Sequence, residues 1–563
     1  MGLFADKVSA LRQITEAAIP ENLRFVCIFL SISDGAERAR TVHACGTGFE
    51  TVWRQVLDNA AVVMERHKLR GNWLRVDWVN GFEQVTFQDL RRHLGQTKRN
   101  YFRHGLSLDP GFEHAFLSEE LNANGMLDGG NRIDHAVINE KNFSVYALKR
   151  FGPNFRADYS DDKTVVIFST AGFFSDEEER VYELNPSGVD GGRRRVNKLS
   201  PNTTNALIHA GSNYLARQVG EDGRFIYGMH PCFDRPIKTY NTLRHASSTY
   251  AMIEAWEVTR SADLKAAIER SLAFIRGELI QNNTLPDGSE ASFLVESNHE
   301  IKLGGNAVTI LALVQYAHAT GDRSDLPLLE RLANGIRHMQ DPIIGSFIHV
   351  LDAANLSVRA PFRTIYYDGE AAFALMRLYG LTGDPRWLET VELAFEHFLR
   401  ENYWQHHDHW LGYCVNELTR YRPKEKYFRF GIRNVADHLQ FVATRITTFP
   451  TLLELMMAAS DMLARLAEKP ELRHLLLEID LEEFKDALQF RAHYLLNGHF
   501  YPEQAMFFRS PKKIAGSFFI RHHGFRVRID DVEHYLSGFV AYLKHLRDDP
   551  FSQLSVRKKQ PPS

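Results

Sequence analysis

A two-helix unit recurs along the second half of this chain, and that repeat limits the fold more than any other feature. One copy runs Leu243-Arg244-His245-Ala246-Ser247-Ser248-Thr249-Tyr250-Ala251-Met252 and ends at Thr259-Arg260-Ser261. A second runs Gly305-Asn306-Ala307-Val308-Thr309-Ile310-Leu311-Ala312-Leu313 and ends at Thr320-Gly321-Asp322. A third runs Asp368-Gly369-Glu370-Ala371-Ala372-Phe373-Ala374-Leu375 and ends at Thr382-Gly383-Asp384. Aligning Thr259, Thr320 and Thr382 gives a period of 61 to 62 residues and places His245, Asn306 and Asp368 at one equivalent position.

In each copy an apolar helix rich in small residues precedes a helix with a single apolar stripe. The stripes are Leu264, Ile268, Ile275 and Leu279; Leu328, Leu332 and Ile336; and Leu388, Val391, Phe395 and Phe398. A helix apolar nearly all round is buried, whereas a striped one meets water on its other side, so an inner and an outer layer follow. A glycine–aromatic signature precedes the inner helices: Gly223-Arg224-Phe225, Gly345-Ser346-Phe347 and Gly516-Ser517-Phe518. Gly412-Tyr413, followed by Asp437-His438 and an apolar run, reads as a further copy, and Gly516 to Leu546 as a degenerate one. About twelve helices between Asn205 and Leu546 make six hairpins. No capping repeats of the kind an open solenoid requires are evident, so the units are expected to close into an (α/α)6 toroid over residues 196–563.

Residues 1–195 carry mixed signals. Phe25 to Leu30 and Arg40 to Cys45 read as strands, Trp53, Val56, Ala60, Val63 and Met64 as one face of a helix, and Leu74 to Val79 and Thr164 to Phe168 as further strands. A smaller α+β domain is expected here. Gly46-Thr47-Gly48 lacks the spacing and lysine of a phosphate loop and reads as a turn. Gly191-Gly192-Arg193-Arg194-Arg195 reads as an exposed, solvated linker between the two parts.

A formal net charge of −3 offers no basic surplus for nucleic acid. The four cysteines, Cys27, Cys45, Cys232 and Cys414, form no CxxC pair, which argues against a disulfide framework or a cysteine zinc site. Met1 to Ala18 has no apolar signal-peptide core, and no stretch reaches the roughly 18 apolar residues of a membrane span, so a cytoplasmic protein is expected.

The repeat of Leu243 to Thr382 and its glycine–aromatic signatures resemble the six-hairpin, (α/α)6-toroid carbohydrate-active enzymes, a group that includes unsaturated glucuronyl hydrolases, N-acylglucosamine 2-epimerases and polysaccharide lyases. The resemblance covers about Asn197 to Arg547 and rests on architecture. It implies a carbohydrate ligand in the bowl at one end of the inner helices, but carries no catalytic residue over to this chain.

Polar residues crowd the expected inner-helix starts. If the ring closes they share one cavity. Asp368, Glu370, Asp437 and Asp531 are the candidate carboxylates, with Asp368 or Glu370 against Asp437 or Asp531 as the pair a glycoside hydrolase needs. Epimerase or lyase chemistry would use His245, His438, His534 and Tyr367 as proton carriers. Arg244 and Arg528 could clamp a carboxylate or phosphate, with Asn306 and Tyr366 as further ligand contacts. No cofactor is expected, although His245, His438 or His534 could hold a divalent ion. The runs His406-His407-Asp408-His409 and His522-His523 read as exposed polar loops rather than metal sites. Two other functions compete with an enzyme. One is a non-catalytic glycan-binding component of a polysaccharide pathway whose N-terminal domain recruits a protein partner. The other is a helical scaffold that binds protein.

Overall fold

The computed structural model describes residues 2–20 and 25–548. Residues 549–563 of the expected toroid lie outside that description. Among the described residues, sixteen α-helices of eight residues or more are labelled here in chain order. The first four are α1 (Gly2–Ala18), α2 (Phe49–His67), α3 (Phe87–Gln96) and α4 (Glu140–Phe151). The remaining twelve form six hairpins. Each runs from an odd-numbered helix to an even-numbered one: α5 (Pro201–Gln218) and α6 (Thr242–Thr259), α7 (Ala262–Phe274) and α8 (Leu303–Thr320), α9 (Leu326–His338) and α10 (Tyr366–Thr382). The last three are α11 (Pro385–Arg400) and α12 (His409–Tyr421), α13 (Glu425–Ala436) and α14 (Thr451–Ala467), α15 (Leu481–Tyr494) and α16 (Ile529–Asp548).

The even-numbered helices pack side by side in sequence order, and α16 returns to pack on α6. Six inner helices therefore close a ring, an (α/α)6 toroid, with the odd-numbered helices outside it. The inner helices bury nearly every side chain, as in α8, where residues 303–315 are all buried. Outer helices such as α9 bury only a stripe of Leu329, Leu332, Ala333 and Ile336, with Gly335 on the same face.

The glycine–aromatic signature has a physical cause. It lies on the connection from an outer to an inner helix, where the chain folds back on itself through the bridges Val219 to Phe225, Gln340 to Phe347 and His499 to Phe518. Gly223 and Gly345 sit there at φ 83° and 80°, and a Cβ on either would strike the Arg270 or the Leu393 carbonyl oxygen of a neighbouring outer helix. Only glycine tolerates both demands.

The N-terminal region is a seven-stranded antiparallel sheet. Its strands are β1 (Val26–Ser33), β2 (Arg40–Gly46), β3 (Trp73–Thr86), β4 (Gly105–Ser107), β5 (Ala115–Phe116), β6 (Thr164–Ser175) and β7 (Val181–Leu184). The order is β2-β1-β3-β6-β4-β5, with β7 also paired to β6. Strand alternation divides its cores. Val26, Ile28, Leu30 and Ile32 face α2, whereas Cys27 and Phe29 belong to a core continuous with that of the toroid. The β1–β2 register sets Cys27 opposite Cys45, and the two are joined as a disulfide. This corrects the argument against disulfide pairing for one pair: residues 18 apart in sequence become neighbours across a hairpin.

The expected solvated arginine linker is also corrected. Arg193 is fully buried, donating to Asn497 and pairing with Asp190 at 2.8 Å. Arg194 makes a two-pronged pair with the fully buried Glu503 at 2.8 and 2.7 Å. Only Arg195 behaves as expected, pairing with Glu183 at the surface. Arg75 of β3, buried against Asp77 and Glu119, donates to the Glu503 carbonyl as well, so the sheet and the toroid are bound by charge as well as by core.

Burial alone would raise the Glu503 pKa, but Arg194 outweighs it and holds the carboxyl below its ordinary range. Its stabilising contribution is therefore present above the unfolded pKa and lost as pH falls through the depressed folded value. Replacing Arg194 by Met should cost about 3–5 kcal/mol in urea unfolding, because it strands a buried carboxylate, and Arg194→Met with Glu503→Met should recover most of that loss.

Candidate functional site

The starts of α6, α10, α12, α14 and α16 converge on an open hollow of about 460 Å³ at one end of the ring. Arg244 and Ser247 come from α6, Tyr366, Tyr367 and Glu370 from α10, and His409 and Trp410 from α12. Asp530, Asp531, Glu533 and His534 come from α16, with Arg526 and Arg528 just ahead of it. The remaining inner helix, α8, contributes by absence of a side chain. A Cβ at Gly304 would collide with the Glu370 carboxylate and lie 2.7 Å from Tyr367.

Of the twelve candidate residues named from the sequence, seven line the hollow: Tyr366, Tyr367, Glu370, Arg244, Arg528, Asp531 and His534. The other five do not, and the expectation of one shared cavity is corrected for them. His245 faces away from the hollow, bonded to the Tyr240 hydroxyl at 2.7 Å and to Ser271 of outer helix α7 at 2.8 Å. Burial pulls its pKa down to about 4. Asn306 accepts from the Leu294 amide and donates to the Ser292 and Leu332 carbonyls, fastening α8 to α9 and its neighbouring strand. Asp368 is held by His349 at 2.9 Å, beneath the start of α10. His245 and Asn306 join inner helices to outer ones, whereas Asp368 ties the start of α10 to the connection that precedes it. Asp437 and His438 follow the end of outer helix α13, not the start of an inner one. Asp437 is exposed, and His438 stacks on His407 with ring centres 4.2 Å apart. His245 and His438 therefore do not meet His534, and Asp368 and Asp437 do not reach the hollow.

The arginines of the bowl already have partners. Arg244 and Arg528 both reach Asp530, each at 2.9 Å, and Asp531 is gripped by Arg526 and Arg528 at 3.0 and 3.1 Å. Burial would raise Asp531, but these two guanidiniums keep it low, so it is a fixed anion and a poor proton donor.

Proton-bearing groups cluster one helical turn further along α16. His534 Nδ1 lies 2.9 Å from Glu454 and 3.5 Å from Glu533, and the Ser247 hydroxyl donates to Glu533 at 3.1 Å. Burial would lower the imidazole, but the surrounding carboxylates raise it, while burial raises Glu533. The His409 and His534 ring centres are 5.3 Å apart. His409 Nδ1 faces the Asp408 carboxylate at 3.3 Å, and its Nε2 is buried without a hydrogen-bond partner. Glu370 is buried, its Oε2 also lacks a partner, and burial next to Asp408 and Glu533 pushes its pKa well above the usual range. Donor atoms of His409, Glu454 and His534 lie within 4.8 Å of one another, a set that suits a divalent ion as well as proton transfer.

Sequence reasoning missed His409 and Glu454. His409 was read as part of an exposed loop, yet Asp408 caps α12 by accepting from the Leu411 amide, and this turns the next residue inward. An Asp three residues before an apolar run was the available signal. Glu454 was missed because the short helix Leu439–Thr444 delays the start of α14.

Loss of Glu454 should release His534: in Glu454→Gln, NMR titration should show the imidazole pKa falling towards its ordinary value. Because the folded pKa is raised, the stabilisation is full below the unfolded value and is lost as pH rises through the folded one. Gly304→Ala should destabilise the chain by about 1–3 kcal/mol, as overpacking does, measured by urea unfolding.

No family model and no curated protein matches the chain. Among solved structures it is similar to a D-mannose isomerase, at 12% identity over 61% of this chain and 98% of that one, with a TM-score of 0.45. It is similar also to a cellobiose 2-epimerase from Spirochaeta thermophila DSM 6192, at 13% identity over 62% and 98%, TM-score 0.46. A third likeness is the GH76A alpha-1,6-mannanase from Salegentibacter sp. HEL1_6, at 12% identity over 60% and 98%, TM-score 0.42. At such identities and scores none of them assigns a reaction or a residue to this chain.

Proposed function

We propose that the chain is a carbohydrate-active enzyme that moves a proton at a carbon beside a sugar carbonyl, as an epimerase or isomerase does. The observation that carries this reading is the pair of imidazoles, His409 and His534, set edge to face with ring centres 5.3 Å apart in the hollow. His534, held as an imidazolium by Glu454 and Glu533, serves as the acid at the sugar oxygen. The Asp408 carboxylate lies 3.3 Å from Nδ1 of His409, and the unpartnered Nε2 is available to accept a proton from carbon. Glu370, protonated by burial, supplies a second donor. Tyr366, Tyr367 and Trp410 offer ring faces to a sugar.

A hydrolase fits less well. Its two carboxyl groups would have to be Glu370 and Glu533, since Asp530 and Asp531 are bound to arginine. A glycan-binding role without turnover would use the same hollow.

The test is to incubate free aldoses and reducing disaccharides with the protein in D2O and follow them by NMR. Deuterium should enter at the carbon next to the carbonyl, with an epimer or ketose appearing, and His409→Asn and His534→Asn should each slow this by about 10²–10⁴-fold. New reducing ends without deuterium would make the chain a hydrolase. Binding with neither outcome would make it a glycan-binding protein.

A further inference from the structure

A second pocket, remote in character from the bowl, lies where the N-terminal region meets the toroid. It is lined by Arg103, Glu119 and Asn122 from the first and by Gln504, Arg521 and Phe525 from the second. The pocket measures about 30 Å³, against roughly 10–15 Å³ for one water on a comparable measure. It therefore admits a small polyatomic anion, or the anionic end of a longer molecule, and excludes a sugar ring.

Its charges are out of balance. Arg103 makes no hydrogen bond or ion pair among the described residues, and its Nη2 is buried. Arg521 is 7% exposed, donates through Nη1 to the Asn100 carbonyl, and leaves Nε buried without a partner. The one carboxylate in the lining, Glu119, is committed to Arg75 at 2.7 Å and to the Ser118 hydroxyl. Nearby Asp190 is taken by Arg193 and Asn497. Burial lowers the pKa of both arginines, and Arg103 helps pull Arg521 down to about 9. A buried Arg521 Nε and a buried Arg103 Nη2 without partners, on two neighbouring guanidiniums with no free anion between them, are unfavourable unless a ligand supplies the negative charge.

The remaining orphans sharpen the choice. Asn122 Oδ1 and Gln504 Oε1 are buried acceptors without partners in the same lining. An anion that still carries one proton can donate to one of them, whereas a fully deprotonated one can donate to neither. We propose that Arg103 and Arg521 form a hydrogenphosphate-binding site that joins the N-terminal region to the toroid, the phosphate being either free or the end group of a larger metabolite. Nothing in the proton-transfer chemistry of the bowl requires it.

Thermal unfolding of the full chain at neutral pH tests this, with inorganic phosphate, sulfate and chloride compared at equal ionic strength. Phosphate should raise the melting temperature saturably, since it binds only the folded state. Arg103→Gln should weaken phosphate by at least about 10-fold and, having no protein partner to lose, should melt no lower than the parent chain in phosphate-free buffer. Sulfate should bind at least about 10-fold less tightly, because it leaves both amide oxygens unpaired where hydrogenphosphate satisfies one. A hexose 6-phosphate that displaces inorganic phosphate would identify an end group, and failure to do so would identify the free ion. His534→Asn should keep the full phosphate response, which separates this site from the bowl. No gain over chloride, or an undiminished response in Arg103→Gln, overturns the site. Equal stabilisation by sulfate overturns its assignment to hydrogenphosphate.

Discussion

Closure of the inner ring, α16 against α6, is the contact on which the rest of the structure depends. Nearly 300 residues separate the two helices, and two hydrogen bonds fix their alignment: Ser247 to Glu533 at 3.1 Å and Ser537 to Glu254 at 2.7 Å. The small side chain at each serine lets the helices approach while still satisfying a buried carboxyl group. Gly538 does the same on the other side, where a Cβ would lie 3.2 Å from Leu453 of α14. Without this closure Glu533 and His534 would face water, and the groups that shift their protonation would be lost together.

The repeat was legible because an inner helix must be apolar all round, and that pattern survives even where sequence identity between copies does not. The direction of individual side chains was not legible to the same degree. Adjacent helix positions point about 100° apart, so His245 joins the outer ring while Arg244 beside it enters the hollow. Glu370 reaches the hollow while Asp368, two residues earlier, does not. A row of equivalent polar residues at helix starts signals a repeated structural joint as readily as a ligand site. His245, Asn306 and Asp368 are such joints.

Long-range charge pairing was hidden for a different reason. Arg194 and Glu503 are 309 positions apart, and an arginine run set among glycines looks solvated in sequence. Folding sets that run against a buried carboxylate, and a cation that seemed to be surface becomes an anchor between two regions. The same enclosure that makes the Arg194 pair stable makes Arg103 and Arg521 conspicuous, since they share the boundary and have no acid of their own.

The proposed chemistry requires that the hollow at the inner-helix starts hold a sugar. A crystal structure of the chain soaked with a reducing disaccharide, or with its unreactive alditol, is the most direct measurement. The account predicts density between His409 and His534, in contact with Tyr366 and Glu370. Sugar bound only elsewhere, or a hollow that stays free of sugar at saturating concentration, would contradict it.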